Sequence, residues 1–136
     1  DGFELPPNQP SVEFKFTQTL FGLPEPLLVH GIFPHMHVMG KTLKLEKRLV
    51  GETGDDNVEC LGDVQAWDFH WQQLAFYEQP ITVDGGDQLD VKCGWDTTGR
   101  TENTYWGEGT TDEMCLVFAY VTRAQGGSVI DLLNSL

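Results

Sequence analysis

A chain of 136 residues, 40% of them hydrophobic, is long enough to bury a core as one domain and too apolar to be generally disordered. Eight Lys plus Arg against 21 Asp plus Glu leave a net charge of −13, which excludes a basic stripe for nucleic acid and disfavours an anionic membrane surface. No apolar run approaches the length of a membrane span, and the chain opens on Asp1 rather than Met, as expected of a processed protein or a segment of a longer one.

Residues 1–10 carry three prolines and no periodicity, which predicts a lead-in arm. From Val12 the pattern alternates, with Val12, Phe14 and Phe16 on one face and Glu13, Lys15 and Thr17 on the other, as in a half-buried strand. Pro24 and Pro26 punctuate the chain, and extended structure resumes over residues 27–38 until Gly40 breaks it. Within that stretch, Pro34-His35-Met36-His37-Val38-Met39-Gly40 holds two of the four histidines. Side chains at i and i+2 leave a strand on the same face, so His35 and His37 present two imidazoles side by side. That pattern is half a metal site, although two hydrogen-bonded histidines satisfy it equally. His30 lies off that face and reads as structural.

Residues 42–49 alternate again, with Leu43, Leu45 and Leu49 inward, and 51–57 form a polar turn. Trp67-Asp68-Phe69-His70-Trp71 packs three large aromatics into five residues. Two strands, 74–83 and 88–95, flank Asp84-Gly85-Gly86-Asp87, a hairpin-like turn signal. Residues 97–111 are Gly- and Thr-rich and aperiodic, which predicts a surface loop. Residues 114–121 are apolar on both faces, which predicts a central strand buried on both sides. Beyond Gly126-Gly127, Ser128 is placed to cap a short helix over 129–136. About seven short strands and little helix predict an all-β, antiparallel two-sheet β-sandwich or jelly roll. Its domain occupies 11–123, with 124–136 as a tail.

A zinc site would need a further Cys, His, Asp or Glu at short spacing, which the H-x-H run lacks. Two imidazoles and a thioether suit copper, particularly the cuprous ion. Met39 continues the histidine face at i+4, and Met114 lies far along the chain on the apolar strand; the residues alone leave both open, and either also suits core filling. Cys60, Cys93 and Cys115 allow three pairings, and the absence of C-x-x-C argues against a thioredoxin-type motif or a zinc knuckle.

The run Thr110-Thr111-Asp112-Glu113-Met114-Cys115 follows Cys93 by a Gly/Thr-rich loop, with P-H-x-H-x-x-G well upstream. This combination resembles the C-terminal domain of the copper type II, ascorbate-dependent monooxygenases, the family of peptidylglycine alpha-hydroxylating monooxygenase and dopamine beta-hydroxylase. The resemblance spans roughly residues 10–123. It implies a catalytic copper ion held by His35, His37 and Met114, with Met39 at an ordinary apolar position. It implies molecular oxygen as co-substrate, ascorbate as reductant, and hydroxylation of a C–H bond. It also implies a Cys93–Cys115 disulfide closing the loop 94–114, hence a secreted, periplasmic or other oxidising extracytoplasmic compartment. Cys60 is left as a buried free thiol.

Departures from the family pattern carry information. Peptide-amidating members have an Arg two residues before the first His, and an Asn and a Tyr two and four residues after the Met, to hold a peptide carboxylate. Here those positions are Phe33, Leu116 and Phe118, so the implied pocket is apolar and its substrate small and apolar or aromatic. The family also places a second copper, on three histidines, in a sister N-terminal domain. His30 and His70 cannot rebuild that site, so a second copper domain or another electron donor is expected, and the isolated chain is expected to turn over weakly. His70 reads as a core or surface histidine, with a place as a fourth ligand or behind the ligands as the alternative. The same ligands also fit a non-catalytic copper carrier, buffer or sensor, and a structural sandwich with a vestigial site is a third reading.

Overall fold

A computed structural model describes residues 3–49 and 57–127. Nine strands follow in chain order: β1 (Glu4–Leu5), β2 (Val12–Thr19), β3 (Leu27–Met36), β4 (Gly40–Arg48), β5 (Val58–Val64), β6 (Ala75–Val83), β7 (Gln88–Trp95), β8 (Thr104–Tyr105) and β9 (Cys115–Arg123). No α-helix occurs among the described residues, and the expected helix over 129–136 and the turn residues 51–56 lie outside them. The strands form two larger antiparallel sheets, β2-β7-β4-β5 and β6-β3-β9, and a two-stranded ribbon of β1 and β8. The expected all-β sandwich is what the chain forms.

Alternation decides what each strand buries. On β4, Leu43 and Leu45 point inward at 1% and 5% exposure, and Lys47 shares their face. Its ammonium reaches across the sandwich to the Thr82 carbonyl at 2.8 Å and pairs with Glu59 at 2.7 Å. Leu49, expected inward, lies beyond the strand end and is exposed, as is Phe16 on the edge strand β2. The core has two clusters. One gathers Leu5, Met36, Met39, Leu43, Cys93, Trp95 and Cys115; the other gathers Val29, Ile32, Leu45, Leu61 and Val83. Leu5 is fully buried: β1 pairs with β8, from the stretch expected to be a surface loop, and Leu5 plugs the first cluster.

Two expectations about topology are corrected. Asp84–Asp87 is a tight turn, with Gly86 at φ 92° and the Asp84 amide donating to the Asp87 carboxylate at 2.9 Å. It is not a hairpin, because β6 leaves it in one sheet and β7 in the other. Nor is β9 central. It pairs only with β3, which is the middle strand, and its outer face leaves Phe118 and Tyr120 56% and 55% exposed. An apolar run cannot distinguish a strand covered on both faces from an edge strand with an uncovered apolar face.

Cys93 on β7 and Cys115 at the head of β9 form a disulfide, so the bridge staples one sheet to the other. Cys60 is free, as expected, but exposed rather than buried. A bulge between Leu45 and Glu46 sets Cys60 opposite Glu46 on β5, which is an edge strand.

Candidate metal centre

His35 closes the outer face of β3 and His37 stands one residue past its end. Their ring centroids are 5.2 Å apart and their planes nearly perpendicular, at 85°. The His35 Nδ1 lies 2.7 Å from Gln72 Oε1. The Gln72 amide nitrogen donates to the Phe69 carbonyl at 2.8 Å, which orients its oxygen toward the ring, so His35 carries its proton on Nδ1. The His37 Nδ1 lies 3.0 Å from the Asp112 carbonyl, which can only accept, so it too is the protonated nitrogen. Each imidazole therefore keeps the Nε2 lone pair, which has no hydrogen-bond partner among the described residues. Anchoring the far nitrogen in this way is how proteins orient metal-binding histidines. Nitrogens bonded to one ion at about 2 Å put two imidazole centroids roughly 4.5–5.5 Å apart, a range that contains the observed spacing.

His37 is held at its remaining polar atoms as well. Its backbone N–H donates to Glu113 Oε2 at 3.0 Å, and its carbonyl accepts from the Trp67 indole at 3.1 Å. The Glu113 carboxylate also accepts from the Met39 amide at 2.7 Å and the Trp95 indole at 3.0 Å. Glu113 is fully buried, so three N–H donors replace the water that a carboxylate otherwise needs. The sequence reading passed over Glu113, Gln72 and Trp67. For Glu113 a signal was present: alternation with Met114 puts it on the Cys115 face, where a carboxylate must find donors.

The register places the remaining predicted residues. His35 is opposite Leu116, Phe33 opposite Phe118, and Met36 opposite Cys115. Directly opposed residues share a face, so His35, Phe33, Leu116 and Phe118 lie together on the outer side of the small sheet. Glu113 and Cys115 are buried inward, and Met114 between them is half-buried, at the position that continues the outer face toward His37. Met39 does not share that face. A turn closed by the Gly40 amide and the His37 carbonyl breaks the alternation and sends Met39 into the core, where its sulfur accepts from Arg100 Nε at 3.0 Å.

His70 is not against either imidazole. It is 87% exposed, pairs with Asp68 at 3.3 Å, and touches Phe69, whose ring stands 6.1 Å from His37. His30 uses Nε2 itself to bond Thr122 Oγ1 at 2.7 Å. Beside the histidines an open apolar wall rises: Phe118 lies 6.4 Å from His35 and 6.3 Å from Phe33, centroid to centroid. It continues through Tyr120 and Phe76, 6.3 Å apart, over the bare backbone of Gly31. A separate cavity of about 400 Å³ is lined by Pro34, Val64, Ala66, Trp67 and Trp71, and none of the three expected pocket residues lines it.

Residues 2–125 match the family described as copper type II ascorbate-dependent monooxygenase, C-terminal domain. The chain is 28% identical over 117 residues to DBH-like monooxygenase protein 1 of Gallus gallus, covering 83% of this chain and 18% of that protein. It is 30% identical over 125 residues to tyramine beta-hydroxylase of Caenorhabditis briggsae, covering 88% of this chain and 20% of that protein. Over 51 residues it is 33% identical to dopamine beta-hydroxylase of Rattus norvegicus, covering 38% of this chain and 8% of that protein.

Proposed function

This chain belongs to the copper type II, ascorbate-dependent monooxygenase family, as its C-terminal domain, and on that premise we propose that His35, His37 and Met114 together hold one copper ion. The observation that carries the proposal is the imidazole pair 5.2 Å apart, with both Nδ1 atoms committed to carbonyl oxygens. Two neutral imidazoles and a thioether are a donor set suited to cuprous copper, and the half-buried Met114 supplies the third donor from across the strand pair. Bound copper would supply the one-electron chemistry that activates molecular oxygen for hydroxylation of a C–H bond, with ascorbate as the reductant.

The chain's own residues orient the reaction. Gln72 and the Asp112 carbonyl hold the rings, and Phe33, Leu116 and Phe118 offer an apolar wall beside them for a small apolar or aromatic substrate. No cation or amide stands at those three positions to receive a peptide carboxylate. Inserting one oxygen atom from O2 into a C–H bond uses two electrons, one more than a single copper site stores. A second copper domain or another electron donor therefore completes the enzyme, and this chain spans only about a fifth of the length of the relatives it matches. The disulfide fits an oxidising, extracytoplasmic compartment. No helix among the described residues is long and apolar enough to cross a membrane.

Metal content and cuprous affinity of the wild type and of Met114→Ile test the ligand set, because isoleucine fills the space without a sulfur. The expected result is one copper per chain and an affinity lower by roughly tenfold or more in the variant; equal affinity overturns the assignment of Met114. A copper carrier is the second reading, favoured by the engagement of His30 with Thr122 and the isolation of His70, which leave one candidate histidine site among the described residues. Oxidation of the cuprous chain by oxygen in a single turnover, which calls on no second copper, separates the two: cuprous protein that binds tightly and is not oxidised by oxygen is a carrier.

A further inference from the structure

We propose that Glu113 is the positioning residue of the metal centre, its carboxylate setting where His37 stands before any metal arrives. This rests on His37 being a copper ligand. Among the described residues the carboxylate is the one group that bonds both the His37 amide, at 3.0 Å, and the Met39 amide, at 2.7 Å. Oε2, the oxygen that takes the His37 amide, also accepts from the indole N–H of Trp95 at 3.0 Å, and Trp95 is 1% exposed in the core cluster that contains the disulfide. Glu113 thus ties the histidine turn to the most deeply packed part of the molecule. Its neighbours in sequence act on the same target, since the Asp112 carbonyl holds the His37 ring at 3.0 Å and Met114 follows on the outer face. Three consecutive residues, Asp112, Glu113 and Met114, thus serve the ring, the backbone and the third donor from a distant part of the chain.

The chemistry of the carboxylate makes the role specific. Two oxygens with no hydrogens accept from three donors at once, and an amide in the same place offers one oxygen and an NH2 that repels a backbone N–H. Glu113→Gln is nearly isosteric, so it preserves packing while denying one of the two turn amides its acceptor. His37 then loses its fixed height above the sheet, or Met39 leaves the core and draws the turn with it.

The test titrates the purified chain with cuprous ion against a chromophoric chelator, and records the electron paramagnetic resonance spectrum of the cupric form. Glu113→Gln is expected to bind cuprous ion about tenfold or more weakly, with altered cupric hyperfine splitting. Glu113→Asp, which keeps the charge and retracts it by one methylene, is expected to fall between it and the wild type. Asp90→Asn is the control. It disrupts a buried carboxylate on β7, bonded to Thr17 and Lys15, and is expected to lower stability with copper affinity within about twofold of the wild type. A Glu113→Gln protein with wild-type affinity and spectrum overturns the proposal. In the wild type, the amides of His37 and Met39 are expected to exchange with solvent at least about a hundredfold more slowly than that of the exposed turn residue Val38. Equal rates overturn it whether or not a variant folds. His37→Ala separates the two failures: undiminished copper binding there removes the ligand assignment itself, whereas loss there without loss in Glu113→Gln removes only the role of Glu113.

Discussion

Replacing Cys93 and Cys115 together by alanine cuts the covalent tie between the two sheets. The two cysteines are 22 residues apart in sequence, and closing a loop of that length lowers the entropy of the unfolded chain by an amount worth roughly 3 kcal/mol at 25 °C on the chain-entropy account. Both side chains are buried, at 0% and 6% exposure, so losing the sulfurs leaves small voids that add about 1 kcal/mol. The sum, about 4 kcal/mol, is a large share of the 5–15 kcal/mol or so that holds a typical domain together. It corresponds to a melting temperature lower by on the order of 10 °C for a chain of this size. Urea unfolding of the double variant, and of the wild type with and without reductant, measures it. The location of the effect is a second readout. Cys115 heads β9 and adjoins Met114, so hydrogen exchange is expected to rise over 112–116 far more than over β5, on the opposite edge of the other sheet. A loss below about 1 kcal/mol, or equal deprotection of both segments, refutes the view that the bridge holds the sheets and the Met114 segment together.

Leu5→Ala empties a fully buried site in the first core cluster and is expected to cost about 3–4 kcal/mol in urea unfolding; a cost under about 1 kcal/mol would contradict the packing of β1 on that cluster. At Gly31 an added Cβ would stand 2.7 Å from the Ala75 carbonyl oxygen and 3.0 Å from the Phe76 ring, so Gly31→Ala is expected to push β6 away at a cost of roughly 1–3 kcal/mol, and an unchanged melting temperature would contradict that geometry. Burial alone would raise the Asp90 carboxyl, but the Thr17 hydroxyl, the Lys15 ammonium and Arg48 outweigh it and hold it below the ordinary value of 3.8. A carboxyl lowered in the folded state contributes stability that is fully present above its unfolded value and is lost as pH falls through the folded one. The stability gap between wild type and Asp90→Asn should therefore hold at neutral pH and shrink only below about pH 4; a gap that is constant down to pH 2 would show that the charge is not what Asp90 contributes.

Much of this molecule is legible from alternation. The period of two marks β2 and β4, and the Asp84–Asp87 turn signal marks β6 and β7, close to their observed ends; alternation also puts Phe33, His35, Leu116 and Phe118 on consistent faces, because a strand's backbone alone dictates which way successive side chains leave it. The same rule misplaced Met39, since a turn after His37 resets the alternation within two residues. It also made β9 central, because composition says that a face is apolar and not whether another strand covers it.

The amino-acid order by itself determined the all-β class, the neighbouring imidazoles, and the adjacency of Met114 to a cysteine. Each depends only on residues close together in the chain, where covalent geometry leaves little choice. Tertiary structure alone decided that Gln72 Oε1 and the Asp112 carbonyl accept from the histidine Nδ1–H groups, that Glu113 grips the 37–39 turn, and that Arg100 donates to the Met39 sulfur. Those contacts join residues 37 to 76 positions apart. Which partner each finds depends on strand order and on how the sheets meet, and these are set by packing the whole core at once.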